Sequence, residues 1–191
     1  TFAMEVYEHD PCTIFMPKSV EDPTITPNQI RLIAQMHKAI SVIQFKLEGE
    51  IIRRRPDFEM DDRLLLNQID YEKGTIRIGG VDYPLKDRHF PTIDPTDPYR
   101  LTAAESLVVD KLMHSFELST KMEKHMRCLY SNGALYLVRN GNLLYHGSVP
   151  LNEDGTLAEV TVNGRKYAGK ALFDQVDQLV RIAYFENKDM E

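Results

Sequence analysis

The chain has 191 residues, of which 42% are hydrophobic and 27% charged, a composition typical of a soluble globular protein with a sizeable core. Its formal net charge of −6 argues against a nucleic-acid partner, because phosphate backbones bind to basic surfaces. No apolar run is long enough to span a membrane, and the first ten residues lack the basic and apolar regions of a signal peptide. These features predict a cytoplasmic protein without a membrane partner.

The two cysteines, Cys12 and Cys128, lie far apart in the chain and form no CxxC motif. The sequence therefore predicts reduced thiols and no disulfide framework. A thiol nucleophile is the alternative, but no neighbouring residues mark one, so a buried structural thiol is favoured.

The N-terminal third is predicted to hold the longest helix of the chain. Three prolines within residues 1–25 predict an extended segment there, after no more than a short regular start. Thr26 to Gln29 then form a helix start, with Thr as the cap, Pro at the first helical position and Gln completing a capping box. Apolar residues at spacings of three and four predict one continuous helix over residues 27–52. They are Ile33, Met36, Ile40, Ile43, Leu47 and Ile51.

Arg53 to Arg55, followed by Pro56, end this helix, because the cations complement its carbonyl end and proline prevents its continuation. Two interpretations of the arginine run remain open. The guanidinium groups could bind a phosphate or an acidic partner, whereas a capped helix end with solvated charges is the favoured interpretation.

The middle of the chain is predicted to change from helix to strand and to loop. Residues 61–69 are expected to form a second helix, and residues 75–78 and 81–83 a small exposed hairpin around Gly79-Gly80. Four prolines among Asp and Thr predict a surface loop over residues 84–100.

Two capping-box patterns, Thr102 to Glu105 and Thr120 to Glu123, predict helices at 103–117 and 121–130, the second closed by Gly133. His114 and His125 lie on these helices. Their spacing is not the i, i+4 spacing of a helical metal site, so both are interpreted as surface or packing histidines.

The C-terminal third begins with an apolar hairpin. Runs at 134–138 and 143–145 flank Asn140-Gly141, the dipeptide of a two-residue type I′ turn. Neither run alternates polar with apolar residues, so both faces of the hairpin are expected to be covered. His146 follows the second strand at a position typical of ligand-binding residues, and Gly147 permits close approach of a backbone or an ion.

Beyond this hairpin, Asn152 to Gly155 predict a turn whose carboxylates are either solvated or in contact with substrate or metal. Residues 159–162 and 165–167 flank Asn163-Gly164 and predict a second type I′ hairpin. A final helix is expected over residues 170–186, followed by a frayed acidic end.

The stretch LLYHGSVP, residues 143–150, resembles the strand-and-HGG element of calcineurin-like metallophosphatases, whose histidine is one ligand of a two-metal site. Residues 36–76, 90–99 and 128–155 resemble the bacterial class III fructose-1,6-bisphosphatases. The motifs that hold the remaining metal ligands of that family are absent. The chain therefore resembles an internal piece of a longer enzyme, in agreement with a first residue, Thr1, that is not methionine.

The resemblance implies an α/β (α+β) fragment of a calcineurin-like β-sandwich enzyme, with a helical N-terminal part followed by antiparallel hairpins and a C-terminal helix. It divides the chain into a helical, insertion-like region, 1–130, and a hairpin segment of the metallophosphatase domain, 131–191. It also implies manganese-dependent hydrolysis of a sugar bisphosphate, fructose 1,6-bisphosphate, in gluconeogenesis, with His146 as a metal ligand. Gly147, Asn152 and Asp154 are neighbours without an assigned role, and no catalytic or sugar-binding residue is assigned.

The alternative is a non-catalytic helical module that serves subunit contact or effector binding, for which the helices between residues 27 and 130 are suited. A homo-oligomer is compatible with either hypothesis.

Overall fold

The computed structural model describes residues 2–19 and 22–186. The chain forms two compact units, which divide between His114 and Ser115. Helices, antiparallel hairpins and a C-terminal helix confirm the predicted α/β class. The domain boundary predicted after residue 130 stays a prediction.

Five helices and seven strands make up the described part of the chain. The helices are α1 (Phe2–Val6), α2 (Pro27–Arg54), α3 (Ala103–Glu117), α4 (Thr120–Asn132) and α5 (Gly169–Glu186). The strands are β1 (Ile69–Asp70), β2 (Thr75–Ile78), β3 (Val81–Pro84), β4 (Tyr136–Arg139), β5 (Asn142–Tyr145), β6 (Val160–Val162) and β7 (Arg165–Tyr167). No helix in the described residues combines the length and apolar character needed to cross a membrane.

Helix α2 begins at a capping box formed by Thr26 and Gln29. The backbone N–H of Thr26 donates to Gln29 Oε1 at 2.7 Å, and Gln29 N–H donates back to Thr26 Oγ1 at 3.4 Å. This reciprocal capping box satisfies two backbone donors that a helix start leaves free. The predicted continuous helix over residues 27–52 is confirmed and extends to Arg54.

The buried face of α2 is not its apolar stripe. Among the predicted stripe residues only Ile43 is buried, whereas Met36 is 53% and Ile40 43% exposed. The buried face includes polar and charged residues and consists of Ala34, Gln35, Lys38, Ala39, Val42, Ile43, Lys46, Gly49 and Ile52. Packing in the first unit thus rotates the helix away from the orientation that its apolar pattern favours.

The ion pairs of two buried lysines explain this orientation. Lys38 Nζ lies 2.5 Å from Asp10 Oδ2 and 2.7 Å from Asp87 Oδ2. Lys46 Nζ lies 2.7 Å from Glu105 Oε2 and also donates to a backbone carbonyl. Buried charges persist only when they are paired and hydrogen-bonded, so these contacts hold the segment before α2 and the segments after β3 against the helix.

The segment before α2 is folded, in contrast to the predicted extended conformation. Helix α1 and a 3₁₀ turn at Thr13–Phe15 lie there, and Tyr7 and Cys12 are buried. Prolines prevent a long helix in this segment but not its burial against α2. Both cysteines are free, and burial, with Asp10 nearby, raises the pKa of the Cys12 thiol to about 11. A suppressed thiolate favours the structural thiol over the nucleophile.

The helix predicted over residues 61–69 is wrong. The structure has 3₁₀ turns at Asp61–Arg63 and Leu66–Gln68, followed by strand β1. Leu66 N–H donates to the hydroxyl of Tyr99 at 3.1 Å, and the Tyr71 hydroxyl donates to Leu66 O at 3.0 Å. These tertiary hydrogen bonds use backbone groups that a continuous helix would pair internally.

The predicted hairpin at residues 75–83 is confirmed as β2 and β3, and β1 extends it to a three-stranded antiparallel sheet through the pair Ile69↔Ile76. The loop predicted over residues 84–100 is observed over residues 85–102, which contain no helix or strand, whereas Pro84 belongs to β3. This loop does not lie entirely on the surface, because Tyr99 is fully buried.

Helix α3 has the predicted bounds, and its capping box is formed, because Thr102 N–H donates to Glu105 Oε2 and Glu105 N–H to Thr102 Oγ1. The capping residue of α4 is Ser119, not the predicted Thr120, since Ser119 Oγ accepts from Met122 N–H at 3.2 Å. Helix α4 continues to Asn132, two residues beyond the prediction, before Gly133.

Both Asn-Gly hairpins are confirmed as two-residue loops. The φ angles are 52° and 76° at Asn140 and Gly141, and 49° and 72° at Asn163 and Gly164. The strands pair in register immediately beside each loop, as a type I′ turn requires. Helix α5 confirms the predicted final helix, and the acidic end after residue 186 lies outside the described residues.

Candidate functional site

His146 is the first residue after strand β5. Its backbone N–H donates to Leu135 O at 3.3 Å, which continues the hairpin ladder by one hydrogen bond. The side chain is exposed and lines an open groove together with residues 132–137, Leu144 and Tyr145. The described residues include no hydrogen-bond partner for its ring, so both imidazole nitrogens are accessible to a ligand.

The hairpin that carries His146 is open on both faces in the second unit. Leu137 and Leu144 form a cross-strand pair on one face, and each is 55% exposed. Val138 and Leu143 form the next pair and are 62% and 54% exposed. The expectation that both faces are covered is therefore wrong for this chain by itself. Helix α5 contacts the hairpin mainly at its open end, which is the end opposite the Asn140-Gly141 turn.

The side chains of Asp154 and Asn152, after the hairpin, form hydrogen bonds within their own turn. Asp154 Oδ1 accepts from Thr156 N–H at 3.0 Å and from Thr156 Oγ1 at 2.6 Å, and Asn152 Nδ2 donates to the same hydroxyl. The Thr156 hydrogen bonds lower the pKa of Asp154. These contacts favour the interpretation of 152–155 as a solvated turn, and the φ of 84° at Gly147 is a glycine conformation.

The described residues do not form a complete metal site around His146. They contain no group of three or more His, Cys, Asp or Glu side chains that could hold a metal ion. His114 Nδ1 lies 2.8 Å from the carbonyl of Asp110 on its own helix, and His125 is exposed, so both fit the surface interpretation. What the structure provides in the second unit is one accessible imidazole at a strand end.

The arginine run at the end of α2 is paired with carboxylates. Arg53 lies 3.0 Å from Asp97 and 3.3 Å from Glu50, and Arg55 lies 2.8 Å from Asp57. These contacts favour the capped helix end over a phosphate site, because two of the guanidinium groups already have anionic partners.

Sequence reasoning missed the residues of α5 that contact the hairpin. Phe173 lies against two hairpin tyrosines, and Arg181 donates to Gly133 O at 2.6 Å. The sequence carries a signal only for ion pairs within α5, because charged residues recur along it at spacings of four, three and four. They are Lys170, Asp174, Asp177 and Arg181.

A family model described as Firmicute fructose-1,6-bisphosphatase matches residues 1–191. The chain belongs to this family. A fructose-1,6-bisphosphatase class 3 of Parabacteroides distasonis is 57% identical over 192 residues, covering 100% of this chain and 29% of the relative. Proteins of the same name from Bacteroides fragilis and Clostridium novyi are each 55% identical, covering 100% and 97% of this chain and 29% and 28% of the relatives. No solved structure matches.

The chain thus spans about 29% of the length of the curated relatives that it matches. This agrees with the predicted relation to a longer family protein. It also gives a physical context to the exposed apolar hairpin, since most of a relative's length has no counterpart in this chain.

Proposed function

We propose that this chain is part of a manganese-dependent fructose-1,6-bisphosphatase of the calcineurin-like metallophosphatase type. In this proposal the full-length protein is cytoplasmic, and it hydrolyses fructose 1,6-bisphosphate to fructose 6-phosphate and phosphate. The observation that supports it is the match of relatives carrying that enzyme name over 97–100% of the chain at 55–57% identity.

Within that enzyme, His146 would supply one ligand of the metal site. A neutral imidazole is a common ligand of divalent transition metals, and the exposed ring of His146 fits this role. When bound, paired ions supply a hydroxide nucleophile and neutralise negative charge on the phosphate. The contribution of this chain is to hold one nitrogen donor at the end of a hairpin, and the other ligands are expected from outside the described residues.

The proposal is tested in the full-length protein with His146→Ala. We expect manganese-dependent turnover to fall by orders of magnitude while circular dichroism stays unchanged, because the exposed ring contributes little to packing. His125→Ala is the matched control, since it removes an exposed histidine from α4 and should retain full activity. A fully active His146→Ala protein would refute the ligand assignment.

A second candidate function is subunit contact through the helical part of the chain. Four apolar side chains of α2 form an exposed row, namely Met36, Ile40, Leu47 and Ile51. Apolar rows of this kind mark protein–protein contacts when they are exposed. If a second copy covers the row, Ile40→Asp should lower the mass of the full-length protein measured by light scattering after gel filtration. An unchanged mass would exclude this contact.

A further inference from the structure

The open end of hairpin β4–β5 rests on one aromatic ring of α5. Tyr136 and Tyr145 are direct cross-strand partners at this end. The ring centroid of Phe173 lies 6.0 Å from that of Tyr136 and 6.3 Å from that of Tyr145. Phe173 therefore contacts both strands at once, at the pair that immediately precedes His146.

Polar contacts fix the same strand against the same helix. The Tyr136 hydroxyl donates to Asp174 Oδ1 at 2.9 Å, and Lys170 Nζ lies 2.5 Å from Asp174 Oδ2. The carboxylate is thereby held between a phenol and an ammonium group. The side chain of Tyr136 thus has both its ring and its hydroxyl held by α5.

About two turns further along α5, Arg181 holds the segment that leads into β4. Its guanidinium donates to Gly133 O at 2.6 Å and to the carbonyl of Tyr130, and Asp177 orients it through a contact of 2.7 Å to Nε. A forked guanidinium that donates to two carbonyls defines a direction as well as a distance. Both the beginning of β4 and the end of β5 are therefore fixed by α5.

We infer that Phe173 is a positioning residue for the His146 imidazole, and this inference rests on the proposed role of His146 as a metal ligand. A ligand must be held within about half an ångström of its working position to bind a metal well. In the described residues the His146 ring has no hydrogen-bond partner to orient it. Its position is therefore set by its backbone, which the ladder bond to Leu135 and the contact of Tyr145 with Phe173 hold in place.

Removal of the Phe173 ring should make the position of His146 less well defined without unfolding the hairpin. The Asn140-Gly141 turn and the three strand pairs nearest to it, from Leu137↔Leu144 to Arg139↔Asn142, lie beyond the tyrosine pair that Phe173 contacts. The open end, however, would lose the contact shared by its two tyrosines. The expected consequence is weaker metal binding by an intact fold, with turnover restored at saturating Mn²⁺ because no ligand has been removed.

The test measures the Mn²⁺ dissociation constant of the full-length protein from the electron paramagnetic resonance signal of free Mn²⁺. Phe173→Ala should weaken binding about tenfold or more, the range found when groups that support a metal ligand are removed. Phe173→Leu keeps an apolar side chain and should weaken it less. Phe185→Ala is the matched control on the same helix, because its ring contacts Tyr184 and not the hairpin, and it should bind Mn²⁺ as the unmodified protein does.

The same measurement on His146→Ala distinguishes the ligand role of His146 from the positioning role of Phe173. If His146→Ala weakens binding while both Phe173 variants bind normally, the positioning role is overturned and the ligand assignment stands. If His146→Ala also binds normally, the ligand assignment fails, and the positioning role fails with it. If Phe173→Ala does not fold, Phe173→Leu decides the matter: weaker Mn²⁺ binding at an unchanged metal-free melting temperature supports positioning, and unchanged binding overturns it.

Discussion

Gly49 lies in the C-terminal part of α2, where its missing side chain makes room for a buried ring. A Cβ atom at this position would lie 2.0 Å from Cδ1 and 2.2 Å from Cε1 of Tyr99, well inside van der Waals contact. Tyr99 is only 1% exposed, its hydroxyl accepts from Leu66 N–H, and its ring lies 4.6 Å from the guanidinium carbon of Arg53. The ring therefore cannot move aside without breaking other contacts.

Two opposing effects decide the outcome of Gly49→Ala. Alanine favours the helix over glycine by about 1 kcal/mol. Overpacking a filled site costs about 1–3 kcal/mol, and separating Leu66 N–H from the Tyr99 hydroxyl would leave a buried donor unpaired at a further cost of about 1–3 kcal/mol. The steric effect prevails, so we expect Gly49→Ala to lower the free energy of unfolding by about 3 kcal/mol.

Urea unfolding followed by circular dichroism measures this change, and a double variant provides the control. In a Tyr99→Ala background the ring is absent, so Gly49→Ala should raise the free energy of unfolding by about 1 kcal/mol. The reversal of sign is specific to a clash with Tyr99. If the single variant Gly49→Ala is as stable as the unmodified chain or more stable, the argument for a ring held against Gly49 is wrong.

Three further predictions concern charge and metal. Lys46→Met should lower the free energy of unfolding by about 3–5 kcal/mol, because it leaves Glu105 buried without a cation; urea unfolding should show much of the loss recovered when Glu105→Leu is added. Burial by itself raises the pKa of Asp10, but hydrogen bonds from Lys38, a backbone amide and a histidine outweigh it and lower the pKa below its ordinary value. The stabilisation from Asp10 is therefore complete above about pH 4 and is lost as the pH falls further, and Asp10→Asn should flatten that part of the stability profile; an equally steep profile would contradict the assignment. The isolated 191-residue chain should show neither Mn²⁺ binding by calorimetry nor hydrolysis of fructose 1,6-bisphosphate, because too few ligands converge on His146; manganese-dependent turnover by this chain would refute the proposal that other parts of the enzyme complete the site.

The elements that sequence predicted well are those controlled by local chemistry. The start of α2 follows from a capping box and a proline, and its end from arginines before another proline. The two Asn-Gly turns follow from the ability of these residues to adopt positive φ. Each depends on groups a few residues apart, and no tertiary contact was needed to find them.

The orientation of α2 could not be predicted in this way. Its apolar residues define one face, but Lys38 and Lys46 are buried because carboxylates distant in sequence meet them. The helix expected over residues 61–69 failed for a similar reason, since Leu66 pairs with the side chains of Tyr71 and Tyr99. A pattern of hydrophobicity carries no information about such partners.

The candidate site was predictable only as far as its position. Sequence places His146 at the end of a hairpin strand, and the structure confirms that location. The support that α5 gives to the hairpin was not predicted, because contacts between Phe173 and the tyrosine pair arise only when helix and hairpin pack.

The pair of Lys46 and Glu105 also constrains how the family can diverge. The two side chains are 0% and 1% exposed, and in the part of the chain that the structure describes each is the other's charged partner. A lineage that replaces one of them must pass through a form with an unpaired buried charge, which selection removes. We therefore expect positions 46 and 105 to covary across the family: both charges are inherited together, or both are exchanged for apolar residues in closely spaced events.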